Sequence, residues 1–130
     1  MSIDDSFEMV LRFHRTFTLP AQEHPTLVDS DRARSRAKWI AEEAHEFEVA
    51  DTLVEQADAL LDIIYLALGG LVEMGVRPDG PFRIVHEANM SKLWNDGKPR
   101  IRNDGKLLKP PEWASPKLAL QLELDRQCKS

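Results

Sequence analysis

The sequence contains little of several features that define other classes of protein. It has a single cysteine, Cys128, so it cannot form an internal disulfide and fits a reducing compartment. Its most apolar run, residues 57–72, contains two aspartates and is too short to span a bilayer. The first ten residues, MSIDDSFEMV, lack the basic and apolar regions of a secretory signal. We therefore expect a cytoplasmic protein without a membrane partner.

Basic residues are in the minority, and the two signs of charge are segregated along the chain. The 130 residues include 17 Lys and Arg against 22 Asp and Glu, and the net charge of −5 argues against general nucleic-acid binding. Residues 42–62 carry eight acids and no Lys or Arg, whereas residues 92–117 carry seven bases and three acids. The acidic centre and the basic tail either pair with each other or hold a metal ion and an anionic substrate together.

Hydrophobic periodicity predicts an all-α fold, a bundle of four or five helices. The predicted helices cover about residues 7–17, 30–49, 52–74, 82–93 and 116–127. Asp29 or Ser30 is the expected N-cap of the second helix. Phe13, Phe17 and Trp39 are expected in the core. No segment of residues 1–93 alternates with the period of a strand.

The tail is rich in turn signals. Two NDGK sequences, at residues 95–98 and 103–106, contain the Asp-Gly pair that favours tight turns, so this region forms either a short hairpin or an irregular arm. The length of the chain is that of one domain, residues 1–130, with a helical core over about 7–93 and a basic tail over about 94–130.

Six of the eight acids in residues 42–62 fall on two helical edges. These edges carry Glu42, Glu43 and Glu46 on the second helix, and Glu55, Asp58 and Asp62 on the third. Asp62 has apolar neighbours, so it is expected to be buried or half-buried, where an isolated carboxylate is costly unless it is protonated, paired or bound to a cation. Two acid edges without nearby bases favour a hard divalent cation, Mg²⁺ or Mn²⁺. The alternative is a solvated helix face.

Three short motifs resemble those of the MazG-like all-α nucleoside triphosphate pyrophosphohydrolases. EEAHE (Glu42, Glu43, Glu46) matches the EExxE motif of that family, EQAD (Glu55, Asp58) matches its ExxD, and NMSK (Asn89, Lys92) is similar to its NxxK element. The DGK…KPPEW tail is similar to that of a bacterial subgroup. The first two motifs are closer together than is usual in the family, and Asp62, counted back from MGV, fits the place of the motif's Asp better than Asp58 does. Either Glu55 and Asp58 or, as we favour, Asp58 and Asp62 then complete the metal site.

The resemblance implies an activity, a cofactor and an assembly. The expected activity is hydrolysis of a (deoxy)nucleoside triphosphate between the α- and β-phosphates, as in house-cleaning enzymes or enzymes for dUTP or dCTP. Mg²⁺, or Mn²⁺, is the expected cofactor, and relatives form homodimers or dimers of dimers. The resemblance assigns residues as follows: Glu42 as general base or second-metal ligand, Glu43, Glu46, Asp58 and Asp62 as metal ligands, and Asn89 and Lys92 as substrate contacts. His86 shares their helical face and joins them as a candidate.

Two other functional classes remain open. The chain is either a non-catalytic helical module whose acidic face docks a basic partner, or a carboxylate-bridged di-iron bundle, since Glu42 and His45 form an ExxH pair. A di-iron site needs a second ExxH, and neither His14 nor His86 has a glutamate three residues before it. His45 is therefore expected to face solvent. Trp94 and Trp113 either cover a nucleotide or anchor the tail.

Overall fold

The computed structural model describes all residues 1–130 and contains five α-helices. The helices are α1 (Ile3–Thr16), α2 (Ser30–Val49), α3 (Leu53–Met74), α4 (Asp79–Met90) and α5 (Lys117–Cys128). The only strand-like pairing is an isolated bridge between Ile101 and Leu107. The prediction of an all-α fold is thus confirmed. None of the five helices combines the length and apolar character that a membrane crossing requires.

Capping residues fix the ends of α2 and α3. The Asp29 side chain accepts hydrogen bonds from the backbone at the start of α2, and Thr52 does the same for α3 through the backbone N–H of Glu55. α3 ends at Gly75, whose φ of +70° lies in the left-handed region that favours glycine. The bounds predicted for these two helices are confirmed.

Two of the other helices, α1 and α4, begin away from their predicted starts. α1 starts at Ile3, four residues before the prediction, because Ser2 and Asp5 form a capping box. α4 starts at Asp79 rather than near residue 82, since Pro81 is tolerated in a first turn, where backbone N–H groups lack helical partners. α4 also ends earlier, at Met90, and Lys92 lies in the turn that follows, where its N–H donates to the Asn89 carbonyl at 3.2 Å.

The chain separates into two compact units. Residues 1–78 contain α1, α2 and α3, and residues 79–130 contain α4, α5 and the segment between them. That residues 1–130 form a single domain stays a prediction. In the first unit, α1 and α2 both pack on α3. Its apolar core is formed by Phe7, Val10, Leu68 and Val72.

The expectation that Phe13 and Phe17 belong to the core is wrong. Their side chains are 39% and 62% exposed. Phe13 contacts the rings of Phe17 and Tyr65, and Tyr65 lies beside the exposed Ile64 on α3. Helical spacing places these rings on one side of α1, but the three helices of this unit do not enclose that side. Trp39 is half-buried.

A buried ionic network joins α2 to α3. Arg32 Nε donates to Glu73 Oε1 at 2.7 Å, and Arg36 Nε donates to the other carboxylate oxygen of Glu73. Arg36 also donates to the Leu66 carbonyl at 3.1 Å, and its Nη2 lies 3.3 Å from Nε2 of His14 on α1. Burial alone raises the pKa of Glu73, but the hydrogen bonds and charges of the two arginines outweigh burial and lower it. Arg36 thereby connects all three helices.

Gly69 provides the space that Arg36 occupies. A Cβ atom at Gly69 would lie 2.6 Å from Arg36 Nη1, so the guanidinium would have to move, whereas one at Gly70 would lie 3.5 Å from Arg36 Cδ, an ordinary contact. The observed position of the Arg36 guanidinium therefore depends on a glycine at position 69 but not at position 70.

In the second unit, two tryptophans attach the tail. Trp113 Nε1 donates to the Ala88 carbonyl of α4 at 2.8 Å, and Trp94 Nε1 donates to the Leu108 carbonyl at 3.2 Å. Both NDGK sequences form tight turns, with φ of +76° at Gly97 and +89° at Gly105. The second turn is closed by the antiparallel bridge between Ile101 and Leu107 and by a hydrogen bond from the Leu108 N–H to the Arg100 carbonyl at 2.8 Å, so the tail is an irregular arm that contains a one-bridge hairpin.

Candidate active site

Four carboxylates of α2 and α3 lie near one another in the first unit. They belong to Glu43, Glu46, Asp58 and Asp62, the residues predicted as metal ligands. Glu43 and Asp62 are half-buried, as expected for Asp62, and Glu46 and Asp58 are exposed. Helical spacing brings each pair to one edge, and the packing of α2 on α3 brings the edges together. The structure thus assembles the predicted set, and the role of these residues as ligands stays a prediction.

Glu43 is the most strongly perturbed acid of the group. The close carboxyl group of Glu46, burial, and the negative charges of Glu46, Asp62 and Asp58 together raise the pKa of Glu43 to about 7. Its Oε2 atom is buried and has no hydrogen-bond partner. None of the four acids pairs with a lysine or arginine. No lysine or arginine therefore compensates the negative charges of the cluster.

A cavity of about 190 Å³ opens beside these acids. It is lined by Glu46, Val49, Ala50, Glu55 and Asp58. The Glu55 carboxylate also accepts a hydrogen bond from the Thr52 hydroxyl at 2.8 Å, so it takes part in capping α3. Asp58 is a member of both predicted pairs. Together with Asp62 it raises the pKa of Glu43, and together with Glu55 it lines the cavity.

The donor set fits a hard divalent cation in its chemistry. It offers only carboxylate oxygens, one of them buried and without a partner, and no basic side chain competes for them. No three His, Cys, Asp or Glu side chains converge closely enough to form a ready-made metal site. The like charges of the four acids repel one another, and a cation bound between them would remove that repulsion.

Glu42 and His45 lie outside this cluster. Glu42 is exposed. The His45 side chain is 72% exposed and its Nδ1 lies 3.9 Å from a carboxylate oxygen of Glu48. The expectation that His45 faces solvent is confirmed. His45 therefore brings no imidazole to the four acids, as a di-iron site would require.

The three predicted substrate contacts belong to the second unit. His86 is exposed on α4, and the Asn89 side chain donates to the Val85 carbonyl one turn earlier at 3.1 Å. Lys92 is half-buried, with its Nζ 5.7 Å from the centroid of the Trp113 ring. Their role in substrate binding stays a prediction.

The residues that hold α2 against α3 were not among those predicted from the sequence. Arg36 lies two turns before Glu43 on α2, and the Leu66 carbonyl that it binds lies one turn after Asp62 on α3. The network of Arg36 and Glu73 therefore fixes the same pair of helix faces that carries the acids. The sequence carries one signal for this contact, the Gly69–Gly70 pair within an otherwise apolar helix. Such a pair indicates that another group approaches the helix backbone closely.

Comparisons with known proteins identify a family for the chain and a solved structure similar to it. Residues 10–89, more than half of the chain, match the phosphoribosyl-ATP pyrophosphohydrolase family, and this match includes α2 and α3. The chain is also similar to a solved structure described as a "putative NTP pyrophosphohydrolase" from Exiguobacterium sp. 255-15. The two share 31% identity with a TM-score of 0.52, over 95% of this chain and 96% of that one. No curated protein matches the chain.

These findings agree, at a coarse level, with the resemblance to MazG-like all-α pyrophosphohydrolases. The chain belongs to the phosphoribosyl-ATP pyrophosphohydrolase family and is a hydrolase that acts on phosphoric anhydrides.

Proposed function

We propose that this protein hydrolyses a (deoxy)nucleoside triphosphate at the α–β phosphate bond in a Mg²⁺-dependent reaction. The products are the nucleoside monophosphate and pyrophosphate. One observation carries the proposal: four clustered carboxylates without a basic partner, among them the buried, unpartnered Glu43 Oε2. A cation is the natural counter-charge for such a cluster, and the phosphates of a nucleotide are natural ligands for that cation.

Glu43, Glu46, Asp58 and Asp62 are the residues proposed to hold Mg²⁺, or Mn²⁺ in its place. When bound, the ion neutralises phosphate oxygens and polarises the attacking water. The raised pKa of Glu43 fits this role, because binding a cation and binding a proton are alternative ways of neutralising the same carboxylate.

Glu42 is proposed as the general base. It lies one turn before Glu46 on α2 and is exposed, so it reaches water more easily than the half-buried Glu43. In the proposed step the water oxygen forms a bond to the α-phosphorus, and its proton passes to the Glu42 carboxylate. The bond from the α-phosphorus to the bridging oxygen breaks, and pyrophosphate leaves with the electron pair. A ligand to a second metal ion is the alternative role for Glu42.

Lys92, Asn89 and His86 are proposed to contact the substrate. An ammonium group suits phosphate oxygens, and an amide suits the neutral polar groups of the nucleotide. Candidate substrates include dUTP and dCTP and, from the name of the matching family, phosphoribosyl-ATP. All of them carry the same triphosphate, so the proposed chemistry is common to them.

We also propose that the protein is a cytoplasmic homodimer or dimer of dimers that binds neither nucleic acid nor membranes. The proposed assembly is supported by exposed apolar side chains at the end of α1 and on α3, including Phe17 at 62%, Leu61 at 62% and Ile64 at 53%. Singly exposed apolar residues are ordinary, but a group of them on adjoining helices is typical of an interface.

A substrate panel tests the proposed function. Purified protein is incubated with ATP, the four dNTPs, dUTP and phosphoribosyl-ATP, each with Mg²⁺ and each with EDTA, and the released phosphate species are identified. The proposal expects pyrophosphate from at least one nucleotide, only when Mg²⁺ is present. Release of orthophosphate, or no release from any substrate at a range of Mg²⁺ concentrations, contradicts it. Asp51→Asn, which removes an exposed acid outside the cluster, serves as the matched control for variants of the four acids.

A further inference from the structure

Lys92 and Lys109 place their ammonium groups on the same indole ring, that of Trp113. Their Nζ atoms lie 5.7 Å and 4.7 Å from the ring centroid, so the two nitrogens are no more than about 10 Å apart. The negative face of an aromatic ring attracts each cation. The two cations nevertheless repel each other, and neither forms an ion pair with a carboxylate. The ring thus gathers two positive charges that remain available to an anion.

The position of this pair is set by the fold of the second unit. Trp113 Nε1 donates to the Ala88 carbonyl at 2.8 Å, which ties the ring to the last turn of α4, and its backbone N–H donates to the Pro110 carbonyl at 3.0 Å. Lys92 follows directly on the same helix end. Lys109 arrives from the tail, so a side chain that is distant in sequence joins the predicted phosphate contact.

A cavity of about 310 Å³ adjoins the Trp113 ring. Its lining consists of Ser91, Leu93, Asn95, Pro110, Glu112, Trp113 and Ala114. Ser91 and Asn95 offer polar groups, and Glu112 is the only acid of this lining. The nearby Arg100 and Arg102 are paired with Asp96 and Asp104, so their charges are already compensated.

The geometry points to an oligophosphate-binding site formed by Lys92, Lys109 and the edge of the Trp113 ring. An anion with two or three linked phosphates can contact both ammonium groups at any separation up to about 10 Å, whereas a single phosphate can do so only when the two groups lie close together. This inference rests on the proposed function, because it identifies the anion as the triphosphate of the substrate or the pyrophosphate product. Trp113 positions the two lysines and does not stack on a base.

Calorimetric titration with inorganic tripolyphosphate, in the absence of nucleotide, tests this site in the intact chain. Lys109→Met is expected to weaken binding about 5- to 10-fold, the usual worth of one charge-assisted contact. Lys109→Arg is expected to retain most of the affinity. Lys106→Met is the matched control, since it removes the same charge from the same tail at a residue without a ring contact, and its effect is expected to be below about 2-fold. Glu112→Gln is expected to strengthen binding.

Three results overturn the inference: unchanged tripolyphosphate binding in Lys109→Met, an equal loss in Lys106→Met, or an equal loss for tripolyphosphate, orthophosphate and a single-stranded DNA oligomer. The last result indicates a general polyanion surface.

In the hydrolysis assay, Lys109→Met is expected to raise KM with kcat unchanged, as for a residue that binds the substrate and the transition state equally. If the protein hydrolyses no nucleotide but Lys109→Met selectively loses tripolyphosphate, the site stands and the proposed function fails. If hydrolysis is found but Lys109→Met changes neither tripolyphosphate binding nor KM, the proposed function stands and the site fails.

Discussion

The carboxyl groups of Glu43 and Glu46, one turn apart on α2, lie close enough to share a proton, and neither has a basic partner. This relationship and the charges of the nearby aspartates raise the pKa of Glu43 to about 7 in the folded protein, against an ordinary value of 4.5. The folded state therefore holds this proton at pH values where the unfolded state has released it.

The first prediction is a loss of stability with rising pH in the metal-free protein. Because the folded pKa of Glu43 is raised, its contribution to the free energy of unfolding falls as the pH rises from about 4.5 to about 7. The arginine partners of Glu73 and Glu123 lower the pKa values of these two acids. Their contributions to the free energy of unfolding therefore change only below about pH 4.5. Urea denaturation in EDTA at pH 5 and pH 7.5 measures the effect. Glu43→Gln is expected to reduce the dependence of the free energy of unfolding on pH, and the control Glu48→Gln is expected to leave it unchanged. An equally steep dependence in Glu43→Gln contradicts its assignment to Glu43.

The second prediction separates the proposed base from the proposed ligands. Glu42→Gln is expected to lower kcat by roughly 10²- to 10⁴-fold, the usual worth of a general base, with little change in Mg²⁺ affinity. Glu46→Gln is expected to weaken Mg²⁺ binding, so that added Mg²⁺ restores part of its activity. Metal titrations of turnover in the two variants make the comparison. Equal rescue of both rejects Glu42 as the base and favours its alternative role as a ligand to a second metal ion.

The third prediction concerns the two adjacent glycines of α3. Gly69→Ala is expected to displace the Arg36 guanidinium from buried Glu73 and to destabilise the fold by roughly 2–4 kcal/mol. Gly70→Ala is the matched control and is expected to stabilise by about 0.5–1 kcal/mol, because alanine favours the helix and its Cβ makes an ordinary contact. Denaturant unfolding of both variants measures the difference. Similar stabilities for the two contradict the close approach of Arg36 to Gly69.

The fourth prediction concerns assembly. Ile64→Glu places a charge in the apolar surface formed by α1 and α3, so it is expected to convert an oligomer into monomers at micromolar concentration. Leu27→Glu is the control, because Leu27 is 90% exposed in the loop before α2. Sedimentation equilibrium measures the mass of each variant. A wild-type mass of one chain, with activity intact, contradicts the proposed oligomer.

The parts of the structure that sequence could predict are those governed by local chemistry. Asp29, Thr52 and Gly75 mark the ends of α2 and α3 because caps act within a few residues. The shared edges of the acids in the candidate site could be predicted for the same reason, since spacings of three and four residues place side chains on one helical edge. The start of α1 was missed because the capping box at Ser2 precedes the first apolar residues of the helix.

The parts that sequence could not predict depend on distant partners. Arg36 is buried only because Glu73, 37 residues later, meets it and Gly69 leaves space for its guanidinium. The exposure of Phe13 depends on which elements cover α1, which helical spacing does not specify. Likewise, Lys109 and Lys92 come together only because the folded tail places both of them against the Trp113 ring.

The central claim is that the four acids support Mg²⁺-dependent cleavage between the α- and β-phosphates. Phosphorus NMR of a nucleoside triphosphate incubated with the protein and Mg²⁺ tests it most directly, with Asp62→Asn and Asp51→Asn measured in parallel. Equal amounts of pyrophosphate and nucleoside monophosphate are expected from the wild type and Asp51→Asn, and neither product is expected from Asp62→Asn or in the presence of EDTA. Orthophosphate and nucleoside diphosphate as products, or full turnover by Asp62→Asn, would contradict it.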